Sequence, residues 1–222
     1  MDTWDRSTAD ALALWRDAYL EHLAIRNYAP ETIRVRRDGF STFLNWCADR
    51  DLSRVSQITR PILEAYQRWL WKYTKTNGRP LGWSTQRNRL SVVKDWCRWM
   101  TKQNVLIHNP ASEIELPLPE KRLPDAALTL AQVEALRAVP DLSDPLGIRD
   151  RAMLELFYSC GIRRMELCNL ELPDLNTERR TIHVRLGKGR KDRMVPVGER
   201  AVQCVEKYLA EVRPRLCLDA RT

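Results

Sequence analysis

Residues 145–170 read PLGIRDRAMLELFYSCGIRRMELCNL, and this stretch decides the architecture of the second half of the chain. Residues 144–145, Asp-Pro, are typical of a helix start and Gly161 of a helix end, so we predict a long helix between them. A short helix follows at once, on which Arg163 and Glu166 share a face. The Glu166 carboxylate can hold the Arg163 guanidinium in place there. An arginine fixed in this way is a preorganised bidentate ligand for a phosphate. On spacing alone, an ordinary surface ion pair explains the pattern better.

A predicted hairpin follows in residues 181–197, TIHVRLGKGRKDRMVPV. Alternation in TIHVRL predicts a strand that buries Ile182, Val184 and Leu186, and MVPV is the returning strand. The turn between them is not a Walker A loop, because the required spacing is missing and a strand follows. Its glycines let the backbone approach a partner closely. Its cations either bind phosphate or donate a proton, or only keep the tip soluble; they are Lys188, Arg190, Lys191 and Arg193.

The other patterns in the second half make it α+β. Thr129 and Gln132 form a capping-box pattern that opens a helix. A last amphipathic helix follows Gly198 and is predicted to stop at Pro214. Its inward residues are Val202, Val205, Leu209 and Val212.

The first half of the chain reads as helices only. Apolar residues recur there at helical spacing, and all eight tryptophans lie between Trp4 and Trp99. Residues 109–125 contain four prolines, which favour extended backbone and resist helix. We therefore predict a helical domain at 1–116, a proline-rich linker at 117–125 and a second domain at 126–222.

Charge suggests the class of partner. The chain has 37 basic and 29 acidic residues, a net charge of +8. The excess is concentrated: residues 31–102 hold 15 basic and 6 acidic residues, and residues 179–193 hold 7 and 1. Two basic regions suit a polyanion held by two modules, although a solubilising surface is the commoner explanation of net charge alone.

Two predicted helices of the first half carry polar stripes opposite their apolar faces. The fourth helix opens at Ser84 or Thr85, and its inward residues are Leu90, Val93, Trp96, Cys97 and Met100. Such stripes fit the DNA major groove, and a solvated helix face is at least as good an explanation for either one alone. Two stripes in one basic domain favour DNA. The predicted contacts are Arg34, Arg37 and Ser41 on the second helix, with Arg87, Ser91, Lys94 and Arg98 on the fourth.

Composition excludes several other classes. No run of about 18 apolar residues exists to span a membrane, and the polar amino terminus is unlike a secretory signal, so we expect a cytoplasmic protein. Six cysteines and three histidines show no metal-ligand spacing, so we expect no metal site.

The order of these motifs resembles the tyrosine recombinases, the phage integrase and Xer-like family. The resemblance covers LGIRDRAMLELFYSCGIRRMELCNL and TIHVRLGKGRKDRMVPVG, and YAPETIRVRRDGFSTFL and STQRNRLSVVKDWCRWM in the first half. It implies a helical SAM-like core-binding domain followed by a catalytic domain with a β-hairpin. It also implies site-specific DNA recombination or integration through a 3′-phosphotyrosine, by a tetramer on double-stranded DNA that needs no cofactor.

The resemblance assigns three catalytic positions. Arg163 matches the first catalytic arginine, which contacts the scissile phosphate and stabilises the transition-state charge. Glu166 matches the acidic residue that supports it, and Lys188 matches the lysine that protonates the leaving 5′ oxygen. Two departures concern arginines. Arg164 directly follows Arg163, so either arginine could be the phosphate ligand, although the distance from Gly161 in the motif favours Arg163. Arg36 occupies a position that is usually aromatic or apolar.

The family's H-x-x-R motif and nucleophilic tyrosine are absent from these 222 residues. His183 is not followed by arginine at that spacing, and Tyr208 is interpreted as structural. We therefore expect a carboxy-terminally truncated recombinase that binds DNA, is catalytically inactive alone and is monomeric or weakly associating. The alternative is a non-catalytic DNA-binding protein or decayed integrase that occupies recombination sites. A basic helical adaptor for other proteins is weaker, given the ordered motifs.

Overall fold

The computed structural model describes Trp4 and residues 7–119, 127–187 and 191–216. The chain divides into two compact units, Met1–Leu123 and Pro124–Thr222, called unit 1 and unit 2 below. The predicted fold class is confirmed: the described residues are mostly helical, with one small antiparallel sheet. The exact ends of the linker predicted at 117–125 stay a prediction, because most of that segment lies outside the described residues.

Unit 1 contains four long helices. Proline opens two of them in the first turn, where its missing N–H costs no hydrogen bond. Thr59 occupies the N-cap position of the third helix, but its side chain makes no capping hydrogen bond. The helices are α1 (Leu12–Ile25), α2 (Pro30–Ala48), α3 (Arg60–Lys72) and α4 (Trp83–Lys102), with a 3₁₀ turn at Val55–Gln57.

Aromatic side chains fill the core of unit 1. Phe43 meets Tyr66 edge-on at a centroid distance of 4.9 Å, and Phe40 meets Trp96 at 5.5 Å. Each large side chain buried in this way contributes about 1.5–3 kcal/mol. The predicted inward face of α4 is confirmed, because all five of its residues are buried.

Local signals explain the helices of unit 2. The capping box predicted at Thr129 and Gln132 is present, and the Asp144 carboxylate accepts a hydrogen bond from the Leu146 N–H at 2.9 Å. Gly161 ends its helix in the left-handed conformation, with φ +58°. The helices are α5 (Leu130–Ala138), α6 (Pro145–Cys160), α7 (Arg164–Cys168), α8 (Glu199–Lys207) and α9 (Arg213–Leu216).

The sheet of unit 2 has three antiparallel strands in the order β1 (Leu175–Asn176), β2 (Thr181–Val184) and β3 (Arg193–Pro196). Ile182 and Val184 are buried on one face of β2, as predicted. The prediction for Leu186 was wrong, since this residue is 71% exposed. It lies beyond the end of β2 in a turn, where its backbone has φ +46° and its N–H donates to Asp192.

The chain after β3 forms a bent helical segment. Val202, Val205 and Val212 are buried as predicted, and Tyr208 packs against the core of unit 2. The predicted stop at Pro214 was wrong, because a π-helical turn at Tyr208–Val212 joins α8 to α9. This wider turn precedes the proline and makes room for its ring.

A buried carboxylate ties three helices of unit 2 together. Glu155 on α6 is 1% exposed and accepts hydrogen bonds from Arg137 on α5 and, at 2.9 Å, from Arg151 on its own helix. Arg200 on α8 approaches the same carboxylate at 3.1 Å. The packing of α5 and α8 on α6 therefore depends on one negative charge.

No described helix is long and apolar enough to cross a membrane.

Candidate active site

The candidate site begins where α6 ends. The left-handed backbone of Gly161 turns the chain sharply, and Ile162 enters the core of unit 2 with 5% exposure. Arg163 then occupies the N-cap position of α7, with extended backbone. A rigid glycine turn and a buried isoleucine therefore fix the backbone that carries Arg163.

Glu166 holds Arg163 at two points. One carboxylate oxygen accepts from the Arg163 backbone N–H at 2.9 Å, and the other accepts from the Arg163 guanidinium at 2.8 Å. Glu166 is 9% exposed, whereas the Arg163 side chain is 57% exposed. The carboxylate is thus an internal brace, and guanidinium donors that do not face it remain available to an anion.

Arg193 on β3 binds the same carboxylate from the sheet. Its two terminal nitrogens donate to the two Glu166 oxygens, at 3.0 Å and 2.6 Å. From the sequence, Arg193 is predicted to contact DNA, and its bidentate pair with Glu166 is not predicted. No spacing rule links residues 27 apart, so the pair becomes visible only once the hairpin has folded.

The base of the hairpin packs against this pair. A Cβ added to Gly187 would lie 2.7 Å from the Arg193 Nη1 and 3.2 Å from the Glu166 Oε1. A larger residue at this position would therefore have to push the Arg193 guanidinium aside. Lys188 and Arg190 lie outside the described residues, and Lys191 is exposed.

The two arginines keep Glu166 ionised. Hydrogen bonds from Arg193 and then from Arg163 lower the pKa of Glu166 from its ordinary value near 4.5 to about 2. The same contact with Glu166 raises the pKa of Arg193. Two cations around one carboxylate leave a net charge of +1, which suits the binding of a phosphate.

Comparison with known proteins shows what the chain is similar to. The sequence profile of the phage integrase family matches residues 126–218. Tyrosine recombinase XerC 2 of Ralstonia nicotianae is 45% identical over 210 residues, which are 95% of this chain and 60% of the relative. Tyrosine recombinase XerD of Pseudomonas aeruginosa is 36% identical over 89% of this chain and 63% of its own length.

Residues 126–218 form a domain of the phage integrase family. The chain spans 60–63% of the length of these two tyrosine recombinases. Solved integrases share its fold. The Tn1549 transposon integrase, solved with a circular intermediate DNA, aligns with a TM-score of 0.65 and 17% identity over 91% of this chain and 66% of its own. A lambda integrase dimer bound to a core site aligns with a TM-score of 0.60 and 18% identity over 84% and 48%.

The stability of this domain is expected to depend on pH, because the Glu166 carboxylate that holds the two arginines is titratable. Above pH 4.5, Glu166 is ionised in both the folded and the unfolded chain, and its pairing stabilises unit 2 in full. As the pH falls from about 4.5 towards 2, the unfolded chain takes up the proton first and that stability is lost. Urea unfolding between pH 5.5 and 2.5 should show this loss in the wild type and a smaller loss in Glu166→Gln. Parallel curves for the two proteins would contradict the assignment.

In unit 1, the DNA contacts predicted on α2 have acidic neighbours. Arg34 donates to Glu31 at 2.8 Å and lies 3.4 Å from Asp38, all on the exposed side of the helix. The Ser41 hydroxyl donates to the Arg37 carbonyl, and the Arg37 side chain is exposed. Among the described residues, Arg34 therefore has acidic partners on this stripe, and Arg37 is exposed without one.

The stripe predicted on α4 is partly covered by the chain that follows it. Arg87 donates to the Pro117 carbonyl at 2.7 Å, and Lys94 donates to the Ile114 carbonyl. Ser91 donates to the Asn88 carbonyl of its own helix. Arg98 lies 3.5 Å from Asp95 and is 60% exposed. The extended segment around Ile114–Pro117 thus takes up donors that the sequence alone left free.

Unit 1 also contains a cationic cleft that the sequence patterns did not predict. Arg36 turns inward, where it donates to the Tyr19 hydroxyl at 3.1 Å and to Asp95 at 3.0 Å. Burial raises the pKa of Tyr19 to about 12, so the hydroxyl stays protonated. The cleft has one carboxylate, Asp95, among its described lining residues; its cations are Arg26, Arg36, Arg98 and Lys102, and its aromatic walls are Tyr19, Tyr28 and Trp99.

Proposed function

We propose that the chain is the DNA-binding and phosphate-clamping part of a tyrosine site-specific recombinase. The observation that carries this proposal is Arg163, held by Glu166 at a rigid helix junction in the G-I-R-x-x-E context, with the hairpin base packed on the same carboxylate. Homology to Xer tyrosine recombinases over most of the chain supports it.

In this proposal Arg163 binds the scissile phosphate. Strand cleavage adds negative charge to the phosphate oxygens in the transition state, and an arginine already fixed in place stabilises that charge without first having to be ordered. Glu166 provides the fixing, because it holds both the backbone and the guanidinium of Arg163. Lys188, which directly follows Gly187, is proposed to protonate the leaving 5′ oxygen.

Cleavage also needs a nucleophile, which we propose these residues do not supply. None of the three histidines is followed three positions later by arginine, and Tyr208 is packed into the core of unit 2. We propose that residues 1–222 alone bind double-stranded DNA as a monomer or weak oligomer, and that a chain of the relatives' full length acts as a tetramer on DNA. No step in this mechanism uses a metal or cofactor.

Incubation with a nicked suicide duplex tests whether residues 1–222 bind DNA without cleaving it. We expect a shifted, non-covalent complex whose binding constant falls steeply with salt, and no covalent band after denaturing electrophoresis. A covalent protein–DNA band would show that a nucleophile is present among residues 1–222. Absence of any salt-sensitive binding would contradict the proposal as a whole.

The cationic cleft of unit 1 provides a second test of DNA binding. The double substitution Arg26→Gln and Lys102→Gln should lower affinity for a duplex at least tenfold and reduce the slope of log K against log[salt] by about 1.8, because two phosphate contacts are lost. The control is Arg68→Gln with Lys72→Gln, which removes the same charge from exposed positions on α3. An equal loss in the control would show that only net charge matters.

A further inference from the structure

Arg193 has a geometry that differs from that of a surface DNA contact. Its two terminal nitrogens face the two oxygens of Glu166 in a fork-to-fork pair, at 3.0 Å and 2.6 Å. Such a bidentate pair fixes the plane of the guanidinium against the carboxylate and occupies two of its five N–H donors. The guanidinium of Arg193 is therefore turned towards the protein.

The partner of Arg193 is the residue that holds Arg163. Glu166 is almost fully buried and makes two further hydrogen bonds, to the backbone and the side chain of Arg163. Any movement of the Glu166 carboxylate therefore moves Arg163. Without Arg193, one face of that carboxylate would lose its partner and the side chain could rotate.

The hairpin base completes the arrangement. Gly187 donates its backbone N–H to the Lys191 carbonyl at 3.1 Å, which closes the neck of the hairpin. The Arg193 guanidinium fills the space where a Cβ on Gly187 would lie. One side chain thus contacts both the brace of Arg163 and the residue immediately before Lys188.

We propose that Arg193 is a positioning residue, which acts through Glu166 to hold Arg163 and the neck of the Lys188 hairpin in a fixed relation, and that it is not itself a DNA contact. The proposal rests on the proposed function of Arg163 as a phosphate ligand. It replaces the sequence-based assignment of Arg193 to the DNA-binding set.

A double-mutant cycle tests this role with the chain as it exists. The affinity for a duplex selected by the wild type from a random-sequence pool is measured for Arg163→Gln, Arg193→Gln and the double variant. Each single change should lower affinity about tenfold, and the double variant should lose no more than Arg163→Gln alone. A loss of about a hundredfold in the double variant would overturn the proposal, because additivity means that Arg193 contacts DNA independently. If Arg163→Gln alone has no effect, the proposed function fails instead.

A second variant keeps every charge in place. Gly187→Ala should displace the Arg193 guanidinium from Glu166 and lower affinity by the same order as Arg193→Gln. Carbon-13 NMR of the Glu166 carboxyl follows the contact itself, and the pKa of Glu166 should rise in both variants. An unchanged pKa, or a raised pKa with unchanged affinity, would overturn the positioning role. Retained amide spectra of unit 2 show that the variants remain folded.

Discussion

Glu166→Ala is expected to lower the free energy of unfolding of unit 2 by about 2–3 kcal/mol and to weaken duplex binding at least tenfold. The substitution leaves Arg163 and Arg193 close together with no counterion, and it removes four hydrogen bonds to a nearly buried carboxylate. Each charged hydrogen bond of this kind contributes about 1.5–3 kcal/mol. The expected loss is smaller than the summed contributions of the four hydrogen bonds, because the side chains of both arginines are partly exposed to solvent.

The unfolding of the two units can be measured separately, because all the tryptophans lie in unit 1. All eight tryptophans lie at or before Trp99, so their fluorescence follows the unfolding of unit 1. Amide hydrogen exchange at Ile182 and Val184, which are buried on β2, follows unit 2. Glu166→Ala should accelerate exchange at these amides and leave the fluorescence transition unchanged. Glu171→Ala is the control, because Glu171 pairs with Arg185 at an exposed site and should cost under about 1 kcal/mol. Equal effects of the two changes would contradict the bracing role.

Glu155→Ala is expected to have a larger effect on stability, about 3–5 kcal/mol. It removes the carboxylate on which three arginines converge, and it leaves Arg137, only 5% exposed, with Glu134 as its remaining described acidic partner. Breaking a buried pair from one side costs this much because the surviving charge stays desolvated.

The two glutamates should differ in their effect on binding. The Glu155 cluster shares no residue with the site around Glu166, so the folded fraction of Glu155→Ala should bind DNA as the wild type does. Hydrogen exchange gives the folded fraction, and a binding titration corrected for it gives the intrinsic affinity. An intrinsic affinity reduced as much as that of Glu166→Ala would mean that the Glu155 cluster also shapes the DNA-binding site.

Features governed by neighbouring residues were predictable from the sequence. The glycine end of α6, the capping box of α5 and the apolar face of α4 each follow from spacings of four residues or fewer. Two local predictions were wrong for structural reasons. Leu186 fits the strand alternation but lies beyond the last paired residue of β2, and Pro214 follows a π-helical turn that accommodates it.

Features that depend on distant chain segments could not be predicted. The pairing of Glu166 with Arg193 needs the hairpin to fold back over α7, and the covering of Arg87 and Lys94 needs the extended segment after α4 to run along it. Arg36 looked like a departure from an apolar position. The structure shows instead that Asp95 and Tyr19 supply the polar partners that this departure requires.

Arg163, held by Glu166, is proposed to bind one particular phosphate. Single neutral methylphosphonates placed at each position of the selected duplex test it most directly, with affinities measured for the wild type, Arg163→Gln and the neighbouring control Arg164→Gln. We predict one position at which the neutral group lowers wild-type and Arg164→Gln affinity about tenfold and leaves Arg163→Gln affinity unchanged. If no position loses its effect in Arg163→Gln, or if it does so only in Arg164→Gln, Arg163 is not the phosphate clamp.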